Sequence, residues 1–458
     1  MIRSVEELKK SDIEGKTVFM RGSADVPMDE DKDLYDITRI KDTSRIDSFL
    51  PTLEYLIKNG ARVILQPGWI DRPDGVEEKK STAPVFLYIR EKLGEKGMLK
   101  HEMLFAPSEL KGKKRSIAEN FDIIKEKAAQ LENGQVMVLE NPRFDRQYNK
   151  GDESYARTMA GIVDIYVADD FAQRHRPAAD IVPMVNHVER KYAGFHLMHE
   201  IEYIGGVTKE LEKDERKPFV FILAGKKIET KPGVVSKITV ALKLLDRMKS
   251  MDSILVGGAV AYTFMTAGHY LDEVKSGPEA VSRISSSDIK KLIGDSYMAK
   301  EQVHDQIMLA GRVLLKAKEK GIRVLLPKDH LILKEGMLGK RELKVSADIP
   351  RGWKAVDIGP QTIKEFEYAI ESAGFVVMSG PVGMFDKKIP EAAQGSRAVA
   401  KAMEEATKHG VVTVSAGGES TLLVNTVKAR ISHASIGGGS TLEFIEKGTL
   451  PGVEVLES

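Results

Sequence analysis

Residues 218–227 read Pro218-Phe219-Val220-Phe221-Ile222-Leu223-Ala224-Gly225-Lys226-Lys227. A short apolar run stopped by a glycine is the pattern of a buried strand feeding a turn. The pattern recurs downstream. Ile254–Val256 precedes Gly257-Gly258, Phe375–Met378 precedes Gly380-Pro381-Val382-Gly383, Val411–Val414 precedes Gly417-Gly418-Glu419-Ser420, and Ile431–Ser435 precedes Gly437-Gly438-Gly439. Helical periodicity follows or separates these turns at Ser236–Met248, Tyr297–Lys318, Gln361–Ser372, Glu391–Lys408 and Thr441–Glu446. Strand, glycine, helix is how an open parallel sheet is built, and ligands bind at the carboxyl edge of such sheets. Glycine lets backbone amides approach an anion, and a helix N-terminus favours negative charge. Several such turns converging on one edge point to a polyphosphate.

The first half repeats the alternation. Thr17–Met20, Arg62–Leu65, Gln135–Leu139 and Asp164–Ala168 read as strands, with helices expected at Ser44–Lys58, Ala83–Leu93, Ile117–Leu131 and Glu153–Gly161. The implied class is α/β, with two doubly wound parallel-sheet domains. Helical patterning at Phe195–Lys213 separates the halves without a Pro/Gly-rich linker, which sets the domains at 1–195 and 196–435 and makes that segment a candidate hinge. The serine-rich stretch Ser276–Asp295 is expected to be a surface insertion.

Composition narrows the function. With 458 residues the chain exceeds one typical core. Lys+Arg number 69 against Asp+Glu 68, a net charge of +1, so no broad nucleic-acid or membrane surface is expected and any cationic site is local. There is no cysteine, which excludes disulfides, thiol nucleophiles and thiolate metal sites. No apolar run approaches bilayer length and Met1–Lys10 has no signal-peptide core, so a cytoplasmic protein is expected. Neither G-x-x-x-x-G-K-[ST] nor G-x-G-x-x-G occurs, against a P-loop NTPase or an ordinary dinucleotide dehydrogenase.

The candidate residues lie at strand ends. Lys227 and Lys231 follow the Gly225 turn, where both can reach phosphate oxygens, although isolated lysines are more often solvated. Glu419 suits either a helix first turn or a Mg²⁺ beside nucleotide phosphates, and Ser420 suits a cap. In the first half Arg21, Arg45, Arg72, Arg143 and His175-Arg176 stand at or near strand ends, and arginine forks match carboxylate and phosphate geometry. Together they suggest a basic pocket for an anionic metabolite. His196 and His199 share a helix face without further ligands and are read as packing or surface residues, and Trp69 and Trp353 as packing residues.

These residues bring a resemblance to the phosphoglycerate kinase family along almost the whole chain. It is carried by Arg45-Ile46 before Pro51-Thr52, Leu139-Glu140-Asn141-Pro142-Arg143-Phe144, Asp169 with Phe171 and His175-Arg176, and Ala193-Gly194-Phe195. It continues through Gly225-Lys226-Lys227 to Lys231, Gly257-Gly258-Ala259-Val260-Ala261-Tyr262-Thr263-Phe264, Asp357-Ile358-Gly359-Pro360 and Gly380-Pro381-Val382-Gly383-Met384-Phe385. It ends with Gly437-Gly438-Gly439, Leu442-Glu443-Phe444 and Leu450-Pro451-Gly452-Val453. The resemblance implies two domains facing a central cleft, the first binding a phosphorylated acid and the second MgATP or MgADP, with a C-terminal segment, 436–458, returning to the first.

By the same resemblance Arg45, Lys227, Gly383 and Gly418 are expected to be catalytic. Arg21, Ser23, Asp25, Arg72, Arg143, His175 and Arg176 are expected to bind the acid. Gly225, Lys231, Gly257, Gly258, Ser379, Pro381, Asp386, Gly417 and Ser420 are expected to bind the nucleotide, and Glu419 the Mg²⁺. Departures from the family pattern gather in the acid site. The first turn reads Arg21-Gly22-Ser23-Ala24-Asp25, moving its carboxylate about 6–7 Å along the strand direction. Gln66–Pro73 carries Trp69 and lacks the usual histidine, and Ala178 replaces another. In the nucleotide half Ala224 and Ala259 replace glycines, Ser379 an asparagine, Ile436 a threonine and Glu419 an aspartate. The implied reaction is reversible phosphoryl transfer between MgATP and the carboxylate of 3-phosphoglycerate by a monomer, with cleft closure excluding water. Two alternatives stay open at this point: the same chemistry on another phosphorylated carboxylate, and a non-catalytic nucleotide-binding relative.

Overall fold

The computed structural model describes residues 2–106, 116–226, 236–298, 302–336, 341–385 and 389–457. The chain divides into two compact units, Met1–Glu202 with Thr449–Ser458, and Tyr203–Gly448. The boundary falls inside the helix Phe195–Glu212. The returning segment is shorter than 436–458, because the strand at His433–Ser435 pairs within the second sheet and the helix Gly439–Lys447 packs in that unit.

The first unit is built on β1 (Thr17–Arg21), β2 (Arg62–Gln66), β3 (Leu104–Ala106), β4 (Val136–Leu139), β5 (Ile165–Ala168) and β6 (Arg190–Ala193). They form a six-stranded parallel sheet in the order β3-β4-β2-β1-β5-β6. β1 and β5 are buried along their whole length, as strands covered on both faces must be. Ile46, Phe49, Leu53 and Leu56 project from the helix Ser44–Lys58 into this core beside Val18, Met20, Val63 and Leu65. The chain leaves β1 to one side and returns to β5 on the other, so the topological switch lies between β1 and β5.

The second unit holds β7 (Phe219–Leu223), β8 (Ser253–Val256), β9 (Arg323–Leu325), β10 (His330–Glu335), β11 (Arg341–Ser346), β12 (Lys354–Ile358), β13 (Phe375–Ser379), β14 (Val412–Ala416) and β15 (His433–Ser435). Its main sheet is parallel, ordered β15-β14-β13-β7-β8-β9, with the switch between β7 and β13. A smaller three-stranded antiparallel sheet, β11-β10-β12, was not expected from the sequence.

The stretch Ser276–Asp295 has regular structure of its own. It forms the helices Pro278–Ser282 and Ser286–Ile293, with Val281, Ile284, Ile289 and Ile293 buried. Its serines are partly structural: Ser285 accepts from the Asp288 amide at 3.2 Å and caps the second helix.

Candidate active site

In the first unit, the carboxyl edge near the β1/β5 switch gathers the arginines. Arg45 opens its helix and reaches the turn after β1. Its Nη1 donates to the Asp25 carbonyl at 2.6 Å and lies 3.7 Å from the Asp25 carboxylate. Arg143 follows β4, where Asn141 starts a short helical turn by accepting from the Arg143 amide at 3.1 Å. Asn141 is itself pinned by donating to Ile70 O and Lys80 O at 2.9 and 2.8 Å. The Arg143 side chain is 6% exposed and donates to Asp71 O at 2.5 Å and Asn149 Oδ1 at 3.2 Å. Asp71 supplies that carbonyl from a left-handed backbone, φ 54°, unusual for a residue other than glycine. Lys80 steadies the turn by pairing Asp71 at 2.7 Å and Glu30 at 2.5 Å.

Burial and the like charge of Arg176 push the Arg143 guanidinium down to about 10; Asp25 opposes this and Arg72 adds to it. These four residues therefore share one electrostatic neighbourhood, which the topology brings together from loops after different strands. It is a concentration of positive charge with Asp25 and the Lys80-paired Asp71 as carboxylates beside it, suited to an anion with more than one negative group.

In the second unit the corresponding edge encloses a cavity of about 670 Å³, lined among others by Gly225, Gly258, Tyr262, Val356, Pro381, Gly383, Phe385, Glu419 and Leu422. The floor sits at the β7/β13 switch. There the Lys237 Nζ donates to Ala224 O at 3.0 Å and to Ser379 O at 3.2 Å, bridging the ends of both strands. Lys237 is the first residue of its helix, placed by Ser236, whose hydroxyl accepts from the Thr239 amide. A Cβ on Gly225 would stand 3.3 Å from that Nζ and 3.5 Å from Glu419 Oε2, so cation and carboxylate flank the bare glycine turn. Gly225 and Gly380 both take positive φ, 95° and 100°, and a Cβ on Gly380 would be 2.3 Å from Ala224 O. The strand ends approach so closely that only glycine fits there.

The donor set also fits a hard divalent cation that arrives with phosphates. Among the described residues no group of three or more His, Asp or Glu could hold a metal alone. Glu419, exposed in the first turn of the helix Gly418–Val427, supplies one carboxylate at the cavity wall, and Mg²⁺ commonly takes one or two carboxylates plus substrate phosphates.

A family model described as phosphoglycerate kinase matches residues 8–448. The chain belongs to the phosphoglycerate kinase family. Similar proteins include the phosphoglycerate kinase of Thermosipho africanus, 34% identical over 97% of this chain and 96% of its own length. The cytosolic phosphoglycerate kinase 3 of Arabidopsis thaliana is 32% identical over 99% of this chain and 98% of its own. Among solved structures, phosphoglycerate kinase from Coxiella burnetii covers 100% of this chain and 99% of its own, with a TM-score of 0.71 and 26% identity. That from Pyrococcus horikoshii shares the fold, with a TM-score of 0.73 at 23% identity over 100% and 98% of the two chains.

Against the phosphoglycerate kinase pattern, the expected residues separate into groups. Arg45, Asp25, Arg72, Arg143 and Arg176 retain surface or share the basic neighbourhood just described, and His175 is half-buried next to Arg176. Arg21 does not belong with them. It is fully buried, its Nε 2.9 Å from Asp180 Oδ2, and it donates to Gln173 Oε1 at 2.6 Å, Tyr148 Oη at 3.3 Å and the Gly22 carbonyl. Burial alone would depress this guanidinium, but Asp180 and, more weakly, Tyr148 and Asp170 hold it above its ordinary value. Ser23 is 2% exposed with its hydroxyl buried, so it too faces inward.

In the nucleotide half Gly225, Gly258, Pro381, Gly383 and Glu419 line the cavity, and Gly417 and Gly418 form the turn and helix start beside Glu419. The Gly380 and Gly383 amides are already given to Ser420 Oγ at 2.6 Å and Ser396 Oγ at 3.0 Å, and Gly257 and Gly258 donate to Leu223 O and Val382 O. Ser420 is thus a brace for the Gly380 turn, and the Ser379 side chain is fully buried with only its carbonyl meeting Lys237. These residues shape the site; the helix-start amides near 418–419 are the backbone donors that helix geometry leaves over. Lys227, Lys231 and Asp386 lie outside the described residues. Lys237 was missed in the sequence because it follows Lys227 and Lys231 at a distance; its signal was Ser236, a cap immediately ahead of a helical pattern.

Proposed function

We propose that this protein catalyses reversible phosphoryl transfer between MgATP and the carboxylate of 3-phosphoglycerate, as a phosphotransferase with a carboxyl acceptor. One observation supports this most: a single chain builds a carboxylate-poor arginine cluster at one sheet's switch point and a glycine-floored cavity with Lys237 and Glu419 at the other's. The first suits a small acid carrying both phosphate and carboxylate. The second suits a base between apolar walls with its phosphates over the glycine turn.

In this reading Arg143, Arg176 and Arg72 grip the acid, and Asp25 aligns Arg45 through the 3.7 Å pair. Arg45 and Lys227 stabilise charge on the equatorial oxygens of the phosphoryl group in flight. Lys237 and Lys231 hold the nucleotide phosphates, and Glu419 would hold a Mg²⁺ arriving with them, which would neutralise part of the phosphate charge. No covalent enzyme intermediate is needed, since carboxylate oxygen and terminal phosphorus react in line once both ligands are within reach. Asp386 meets the ribose, and the enzyme works as a cytoplasmic monomer. Among the described residues no helix is long and apolar enough to cross a membrane.

Two-substrate kinetics test it. The expected pattern is sequential, with ATP–ADP exchange absent unless the acid is present, and Lys227→Ala lowers turnover by at least ~10²-fold with the fold intact. Exchange without acid, or near-normal turnover of Lys227→Ala, removes the proposal.

A further inference from the structure

We propose that Trp69 is a positioning residue for the acid site, its indole face holding the Arg143 guanidinium with Arg176 at the margin, so that Arg143 is fixed without a carboxylate among its hydrogen-bond acceptors. The inference rests on the reading in which Arg143 and Arg176 bind the acid. The Arg143 Cζ lies 3.9 Å from the Trp69 ring centroid, well inside the range of about 6 Å in which a cation feels the ring quadrupole. Arg176 stands at 6.0 Å and the interior Arg21 at 5.3 Å.

The partners of these arginines differ in kind. Arg21 is neutralised by Asp180. The hydrogen-bond acceptors that hold Arg143, Asp71 O and Asn149 Oδ1, are neutral. Like charge from Arg176 and Arg72 bears on Arg143, and Asp25, the carboxylate that opposes it, is not one of its hydrogen-bond acceptors. A carboxylate acceptor there would hold Arg143 by competing with the ligand's own negative charge. An aromatic face attracts the cation and leaves part of its planar fork for the ligand.

The ring itself is fixed. Trp69 is 2% exposed and meets Tyr148 edge-on at 6.2 Å. It follows Gly68, whose φ of 100° lets the chain turn tightly, since a Cβ there would sit 3.0 Å from Arg21 Nη1. The buried Arg21–Asp180 pair thus underlies the turn that presents the indole.

The test uses the full chain. Trp69→Phe keeps a weaker ring face and Trp69→Leu removes it. The sequence holds 2 tryptophans, so a Trp353→Phe background leaves Trp69 alone for stepwise fluorination, which drains the ring face with little change of shape. The KM for 3-phosphoglycerate is expected to rise roughly 3- to 30-fold in Trp69→Leu. It should rise less in Trp69→Phe and progressively with each fluorine, while the KM for ATP is unchanged. Unchanged acid KM across the series, or equal changes for both substrates, overturns the proposal; if Trp69→Leu does not fold, the fluorine series decides. A separate reading comes from the Arg143 Hε resonance, assigned with Arg143→Lys and shifted upfield by the indole. Its ordinary position in the parent protein overturns the platform whatever the acid. A shifted resonance in a protein that does not turn over 3-phosphoglycerate supports the platform and fails the functional reading instead.

Discussion

Replacing Arg21 by methionine separates an interior role from a ligand contact. Its guanidinium is fully buried with Asp180 at 2.9 Å and Asp170 at 4.0 Å. Methionine restores much of the volume but none of the charge. Asp170 keeps Arg174, with which it is also ion-paired, so Asp180 is the carboxylate left without its cation. Breaking a buried pair by removing one partner costs about 3–5 kcal/mol. At about 2–4 °C per kcal/mol for a unit of this size, melting of the first unit falls by roughly 10 °C. Thermal unfolding followed by Trp69 fluorescence in a Trp353→Phe background reads that unit. Nucleotide KM serves as the control and is expected to stay constant. An unaltered melting temperature combined with a raised KM for the acid would refute the reasoning and return Arg21 to the ligand.

Other perturbations bear on the second unit. Lys237→Met should raise the KM for ATP by about tenfold or more, because a charged donor at the phosphates is lost, with the acid KM unchanged in the same steady-state assay; equal effects on both would count against a phosphate role. Gly380→Ala must push a methyl into Ala224 O, 2.3 Å away, and should weaken ATP binding in calorimetry by at least about tenfold, with strain of about 1–3 kcal/mol from φ alone. Burial pushes Asp357 up to about 7, against hydrogen bonds from Gly395 and Ile358. A carboxyl raised in the folded state binds its proton more tightly folded than unfolded. Its contribution is therefore present at low pH and is lost as pH rises through 7, with a slope of at most about 1.4 kcal/mol per pH unit. Asp357→Asn should flatten the fall in urea-measured stability between pH 5 and 7, and an unchanged slope would show that Asp357 is not its source.

Much of the fold was legible because the strands that matter are apolar runs cut by glycine. Phe219–Leu223 before Gly225 and Phe375–Ser379 before Gly380 could be placed from pattern alone, and they frame the cavity floor. Three of the edge strands could not, although His433–Ser435 at another edge could. Arg190–Ala193 carries charges because one side needs no partner strand, and Leu104–Ala106 and Arg323–Leu325 are too short for a period to show. The helices within Ser276–Asp295 did not show in the sequence, because serine favours turns and caps over helix interiors, and Ser285 is such a cap. In the candidate site, residue types were legible but orientation was not. Arg21 and Arg45 look alike in sequence. Only the packing of Asp180 and Tyr148, remote along the chain, turns Arg21 inward. Trp69 was read as a packing residue, which it is, but its arginine neighbours come from other loops.

Trapping the product tests the transfer to a carboxylate most directly. The protein is incubated with MgATP, 3-phosphoglycerate and hydroxylamine, which converts an acyl phosphate to a hydroxamate. Hydroxamate forming in step with ADP, and only when acid, nucleotide and Mg²⁺ are all present, is the expected result. A folded, nucleotide-binding protein that yields no hydroxamate, or ADP without it, would contradict the proposed reaction.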